Sequence, residues 1–125
     1  MSQFTDRELD LTDVLWKLGS GTVTEVREHL DDDLAYNTVL SVLRTLEAKG
    51  HVRHEGEGRA HRYYATVQRA EAGKSAVSRL LDKVFDGSAE ALLTHLMSDR
   101  RVTRSRLASM RALLDERLRD KEKPS

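Results

Sequence analysis

Apolar residues recur at helical spacing from the start of the chain. Thr5-Asp6-Arg7-Glu8 has the spacing of a capping box, in which a hydroxyl and a carboxylate each bond the other residue's backbone N–H. Leu11, Val14, Leu15 and Leu18 follow at i, i+3, i+4 and i+7, which predicts an amphipathic helix ended by Gly19-Ser20-Gly21. Thr22-Val23-Thr24-Glu25 repeats the capping signature. Val23, Val26 and Leu30 then give a second short helix, Thr22 to Leu30, its buried stripe, and Asp31-Asp32-Asp33 stops it. A third helix is expected over Tyr36 to Lys49, with Val39, Val42, Leu43 and Leu46 facing inward. Gly50 is well placed as its left-handed C-terminal residue.

Beyond Gly50 the period changes from helical to alternating. Within Arg59 to Val67, Ala60, Arg62, Tyr64 and Thr66 point one way, and His61, Tyr63, Ala65 and Val67 the other. Such alternation marks a half-buried strand, and Glu55-Gly56-Glu57-Gly58 supplies a turn. A hairpin is therefore expected over Val52 to Ala65 with its tip near Gly56 to Gly58. Helix, short turn, helix and hairpin is the order of a winged helix-turn-helix, whose second helix of the pair lies in a DNA major groove.

After Val67 the helical period returns. Ala72 to Phe85 carries Val77, Leu80, Leu81, Val84 and Phe85 on one face. Ser88 is placed to cap a short helix with Leu92, Leu93, Leu96 and Met97, and Thr103 a last one with Leu107, Met110, Leu114 and Leu118. Gly73, Gly87 and the Ser98–Thr103 link are expected to separate these pieces. About 60 residues of leucine-striped helix rarely form a stable core alone, so a second copy of the chain is the expected cover. Val77, Leu80, Leu81, Val84, Leu107, Met110, Leu114 and Leu118 are the dimerisation residues this implies. Folding of the stripes back onto the N-terminal domain is the competing arrangement.

The expected fold is thus mainly α with a small β-hairpin wing. A winged helix-turn-helix domain spans residues 1–68, a helical dimerisation region 69–121, and a frayed tail 122–125. A two-fold dimer would set two recognition helices roughly 34 Å apart, one DNA turn, to read a palindrome.

Composition changes this picture little. Charged residues make up 34% of the 125 and apolar residues 38%, and there is no cysteine, which removes disulfides and thiolate metal sites. No apolar run approaches the length that spans a bilayer, and no apolar N-terminal signal segment is present. A cytoplasmic protein without membrane attachment is expected. Net charge is zero, but its distribution is uneven. Residues 1–34 carry nine acids against three bases, whereas residues 35–65 carry five bases (Arg44, Lys49, Arg53, Arg59, Arg62) against three acids. Phosphate contact needs a local basic face and not a basic protein.

Asn37, Thr38, Ser41, Arg44 and Thr45 share the face of the third helix opposite its apolar stripe. Short amide and hydroxyl side chains exchange hydrogen bonds with base edges, and a threonine methyl packs on a thymine methyl. An ordinary solvated helix face is the bland alternative; the position between a short helix and a wing favours DNA contact. Tyr36 either stacks on the sugar-phosphate or simply caps the helix. Arg53, Arg59 and Arg62 flank the wing and suit phosphates or a narrow minor groove, the alternative being a hairpin edge kept soluble by charge. His51, His54 and His61 lack the converging geometry of a metal site, and Asp31-Asp32-Asp33 lacks the ligand spacing of a calcium loop. No nucleophile motif or phosphate-cradling glycine loop is present. Neither enzyme activity nor a cofactor or metal is expected.

At this level of detail the residues resemble a known family. Leu34-Ala35-Tyr36-Asn37-Thr38-Val39-Leu40, then Leu43, Leu46, Glu47, Lys49, Gly50 and Val52, then Gly58-Arg59-Ala60-His61-Arg62-Tyr63 are similar to the core signature of the penicillinase repressors, the BlaI/MecI/CopY family. The resemblance covers roughly residues 4–120 and is weaker in the last third. It implies a homodimeric winged-helix repressor on a double-stranded DNA operator of dyad symmetry with TACA/TGTA-like half-sites. Family members paired with β-lactam sensors are inactivated by cleavage at an Asn-Phe bond, where this chain has Thr94-His95. Copper-responsive members switch through paired cysteines, absent here. The inducer or protease that would release the repressor is therefore left open. A winged-helix module for protein partners and a ligand-sensing regulator are the other functions in play.

Overall fold

The structure, a computed structural model, describes residues 3–58 and 61–123. Helix α1 (Asp6–Leu18) starts in the expected capping box: Glu8 N donates to Thr5 Oγ1 (3.2 Å) and Thr5 N to Glu8 Oε1 (2.8 Å). A two-residue strand β1 (Gly21–Thr22) follows, which the residue pattern does not foretell. Thr22 is at once the end of that strand and the N-cap of α2 (Val23–Glu28), again with a reciprocal capping box through Glu25. Helix α2 is shorter than expected because His29 closes it, yet Leu30 still packs against the core.

Helix α3 (Tyr36–Ala48) ends one residue before Lys49, and Gly50 takes φ +83°, the left-handed region where a side chain is strained. Strands β2 (Val52–Glu55) and β3 (Arg62–Ala65) form the hairpin, with His54 opposite Tyr63 and Arg53 opposite Tyr64. β1 adds to the other edge of β3, pairing Thr22 with Arg62, so the sheet has three antiparallel strands in the order β1-β3-β2. Gly21 allows this approach: a Cβ there would sit 3.1 Å from Val26 Cγ2.

The core lies where α1, α2, α3 and the sheet converge. Leu11 and Leu15 of α1, Val26 of α2, Val39, Leu43 and Leu46 of α3 and Tyr63 of β3 are all sealed from solvent. Two ion pairs tie the same elements together. Lys49 Nζ donates to Glu8 Oε1 (2.8 Å), tying the end of α3 to the start of α1, and also to the Gln3 carbonyl (3.0 Å). Arg62 Nη2 donates to Glu25 Oε1 (2.6 Å), tying β3 to the start of α2. Trp16 Nε1 donates to the Val67 carbonyl (2.8 Å), anchoring the chain as it leaves the sheet.

Helix α4 (Arg69–Lys83) starts earlier than expected and runs straight through Gly73. A glycine inside an exposed helix costs about 1 kcal/mol against alanine, which the flanking Ala70, Ala72 and Ala76 tolerate. Gly73 is therefore not a breaker; Gly87, at φ +80°, is. Helices α5 (Ala89–Ser98) and α6 (Arg104–Glu122) begin at the expected caps, Ser88 and Thr103. The chain divides into two compact units, Met1–Ser75 and Ala76–Ser125, the boundary falling inside α4. No described residue of α4, α5 or α6 is buried within this single chain. Among the described residues no helix is long and apolar enough to cross a membrane.

Burial pushes the Glu8 carboxyl up, but the bonds from Lys49 and the Thr5 N–H outweigh it, and its pKa lies below the ordinary value. Hydrogen bonds from Thr22, with Arg62 beside them, lower Glu25 in the same sense. A carboxyl depressed in the folded state contributes stability above its unfolded pKa and loses it as pH falls through the folded value. Urea midpoints should therefore fall between about pH 5 and pH 3, bracketing the ordinary glutamate value of about 4.3. The fall should be visibly smaller in the Glu8→Gln/Glu25→Gln variant; an identical fall would remove these two carboxyls from the account.

Candidate nucleic-acid interface

The face of α3 opposite the core is a continuous polar stripe. Asn37, Thr38, Ser41, Arg44 and Thr45 are all exposed, while Val39, Leu43 and Leu46 are sealed beneath them. Thr45 Oγ1 donates to the Ser41 carbonyl (3.1 Å), which leaves its lone pairs outward as acceptors. Tyr36 is half-buried and packs against the core. α3 starts at Ala35 with no side-chain cap, unlike α1, α2, α5 and α6 with their threonine or serine caps, and it has no acid in its first turn. Its N-terminus carries the positive end of the helix dipole, the polarity that suits phosphate oxygens.

Two of the acids near this stripe, Glu47 and Asp32, are engaged, while Asp31 and Asp33 of the α2–α3 turn are exposed. Glu47, on the last turn of α3, accepts from His54 Nδ1 at 2.6 Å and from the His54 backbone N–H at 3.1 Å. In the α2–α3 turn, Asp32 takes Arg7 Nη1 (2.5 Å), and Arg27 Nε donates to the Leu34 carbonyl (2.6 Å). These bonds hold the turn that sets where α3 begins.

The wing arginines divide into different roles. Arg53 stands on the outward face of β2, its guanidinium 4.4 Å from the centre of the Tyr64 ring and its Nη1 2.7 Å from Glu55 Oε1. That stack presents a flat cation whose remaining donors face solvent. Arg62 is half-exposed and bonded to Glu25 and to Ser20 Oγ (3.1 Å). Its place at the β1–β3 register, invisible in the residue pattern because β1 is only two residues long, explains this. Arg59 lies outside the described residues. Tyr64, the platform beneath Arg53, is not marked by the residue pattern as functional; its pairing opposite Arg53 is the available signal.

The three histidines do not act together. His51 is buried and stacks on Phe4 (4.1 Å between ring centres), whereas His54 and His61 stack on each other at 4.2 Å near Tyr63. Among the described residues no group of three His, Cys, Asp or Glu side chains is placed to hold a metal ion. In the second unit, Val77, Leu80 and Val84 of α4 and Leu107, Leu114 and Leu118 of α6 are exposed, with Leu81 and Met110 half-buried.

Comparison with known proteins bears on this arrangement. A model of the penicillinase repressor family matches residues 4–116. The chain is 22% identical over 116 residues to the penicillinase repressor of Bacillus licheniformis, covering 91% of each chain. It is 35% identical over 101 residues to the transcriptional regulator BlaI of Mycobacterium tuberculosis, covering 78% of this chain and 73% of that protein. A solved structure of a MarR family protein from Bacillus stearothermophilus superposes with a TM-score of 0.52 over 98% of this chain and 78% of that one. At 16% identity that likeness speaks to the winged-helix fold alone.

The split among the arginines has a measurable consequence. Arg62→Ala should lower stability by about 1 kcal/mol, the scale of a half-exposed ion pair plus a hydrogen bond, whereas Arg44→Ala should stay within about 0.5 kcal/mol of the parent. Equal urea midpoints for the two variants would contradict the assignment of Arg62 to structure.

Proposed function

The chain belongs to the penicillinase repressor family, DNA-binding transcriptional repressors and not enzymes, and we propose that it works as a homodimer on a dyad-symmetric operator. Helix α3 enters the major groove with Asn37, Thr38 and Ser41 at base edges, and Arg44 and Thr45 at bases or phosphate. Tyr36 meets the sugar-phosphate. The wing lies along the backbone with Arg53 and Arg59, and Arg62 positions it through Glu25. The exposed apolar residues of α4 and α6 pair with those of a second copy, which sets the spacing of two half-sites. TACA/TGTA-like half-sites follow from the family resemblance. Such a repressor acts in the cytoplasm beside the chromosome, and what releases it from the operator is open.

One observation carries this reading. The exposed stripe of α3 combines amide and hydroxyl groups with one arginine and contains no carboxylate, and the single acid of that helix is held by His54. A surface meant only for water has no reason to exclude acids over three turns, whereas one meant for phosphates does.

Fluorescence-anisotropy titrations against a palindromic TACA/TGTA duplex and a scrambled duplex test it. Selective binding with two chains per palindrome is expected. Thr38→Ala should weaken operator binding by ~1–3 kcal/mol with the scrambled duplex little affected, the scale of a single base contact. Arg44→Ala, where its contact is to phosphate, should make the salt slope shallower by about one. Unchanged operator affinity in both variants would remove α3 as the reading helix, and salt-independent association would favour a protein partner.

A further inference from the structure

We infer that the turn after α5 and the first half of α6 form a second, sequence-independent surface for the DNA phosphate backbone. The inference rests on the reading of the chain as a DNA-bound repressor and adds a contact outside the winged helix.

Residues 100–111 contain five arginines (Arg100, Arg101, Arg104, Arg106, Arg111) and no carboxylate; the flanking acids are Asp99 and Asp115. All five arginines are exposed. Asp99 is spoken for, accepting from Arg101 Nε (2.9 Å) and Nη2 (2.7 Å). Among the described residues no carboxylate oxygen lies within 4 Å of Arg100, Arg104, Arg106 or Arg111. The second half of α6 differs: Asp115, Glu116, Asp120 and Glu122 alternate there with Arg117, Arg119 and Lys121. The positive excess is therefore local to one end of the helix.

The first unit shows what arginine does in this chain when it serves the fold. Arg7 donates to Asp32, Arg27 to the Leu34 carbonyl, Arg62 to Glu25 and Arg69 to Asp13, whereas Arg53, assigned to the DNA backbone, meets only Glu55 of its own strand. Among the described arginines of that unit Arg44 alone has no such partner, and it lies on the face assigned to DNA. In the second unit Arg100, Arg104, Arg106 and Arg111 share that condition, as do Arg79, Arg117 and Arg119; what sets residues 100–111 apart is that several such cations crowd together with no carboxylate among them.

Stability does not account for them either. Arg104 and Arg106 occupy the first turn of α6, which holds no acid, so both cations sit at the positive end of the helix dipole where an anion is favoured. A ligand that brings negative charge reverses this cost. Guanidinium forks match phosphate oxygens in pairs, and several of them gain affinity by releasing the counterions condensed on a duplex. Such contacts carry no base information.

The test uses the full chain and the variant Arg100→Gln/Arg104→Gln/Arg106→Gln, titrated by anisotropy against the palindromic and scrambled duplexes at two salt concentrations. The variant should bind both duplexes roughly tenfold or more weakly at 0.1 M salt, with a slope shallower by about one for each phosphate it no longer neutralises. The ratio of the two affinities should stay that of the parent. Its thermal midpoint should be equal or higher, because cations leave the wrong end of a helix, and the matching triple Lys variant should keep most of the slope. Parent-like affinity and slope in the Gln variant overturn the inference, even where Thr38→Ala still abolishes selectivity. A parent chain that binds both duplexes equally, weakened on both by the Gln changes, keeps this surface and sinks the operator reading. Binding of the parent to anionic-lipid vesicles, lost in the variant while duplex binding is not, assigns the patch to membranes and overturns it as well.

Discussion

Burying Val39, Leu43 and Leu46 sets the rotation of α3 about its own axis, and much of the first unit follows from that. At 100° per residue, one apolar stripe committed to the core commits the opposite stripe to solvent. Asn37, Thr38, Ser41, Arg44 and Thr45 are outward because the three residues beneath them have no exposure left. Turning the helix by a single residue would drive Arg44 or Thr38 into a close-packed interior, at the cost of an uncompensated charge or hydroxyl. The outward face is thus defined by the same packing that stabilises the fold, and no separate device orients it.

Rotation alone does not fix position along the axis, and two glutamates supply that. Each is the third residue of a capping box, and each spends a carboxylate oxygen on a base from another element: Glu8 on Lys49, Glu25 on Arg62. The first pair holds the end of α3 to the start of α1. The second holds β3, and with it the wing, to the start of α2. One carboxylate oxygen accepting both a backbone N–H and a side-chain cation explains why both groups stay ionised despite Glu8 being buried. The helix–turn–helix and the wing are held as one piece by this reuse of local capping groups for long-range bonds.

Much of this is legible in the residues because capping and periodicity are local. Thr5, Thr22, Ser88 and Thr103 mark helix starts that the structure reproduces, Gly50 marks a left-handed exit, and Gly87 marks a break. What escapes depends on groups distant in sequence. β1 is too short to show a period, and it exists because Tyr63 and Arg62, some forty residues on, offer it an edge. Gly73 has the look of a breaker, yet α4 starts at Arg69, pinned by Asp13 at 2.7 Å and by the Trp16 ring, so the helix is under way before the glycine is reached. Arg62 reads as a wing cation for the same reason that β1 is hidden. On the outward face of α3 the pattern names the residues, and the structure adds that Glu47 and Asp32 beside it are engaged.

The claim on which the account turns is that the outward stripe of α3 is the surface that meets DNA. Mapping backbone amide chemical shifts of the full chain as a palindromic TACA/TGTA duplex is added tests it most directly. The account predicts the largest, saturable changes at Asn37, Thr38, Ser41, Arg44 and Thr45, with smaller ones along β2 and β3. A duplex that binds while these amides stay unmoved, its effects gathering on α1 or the buried side of α3, would contradict it.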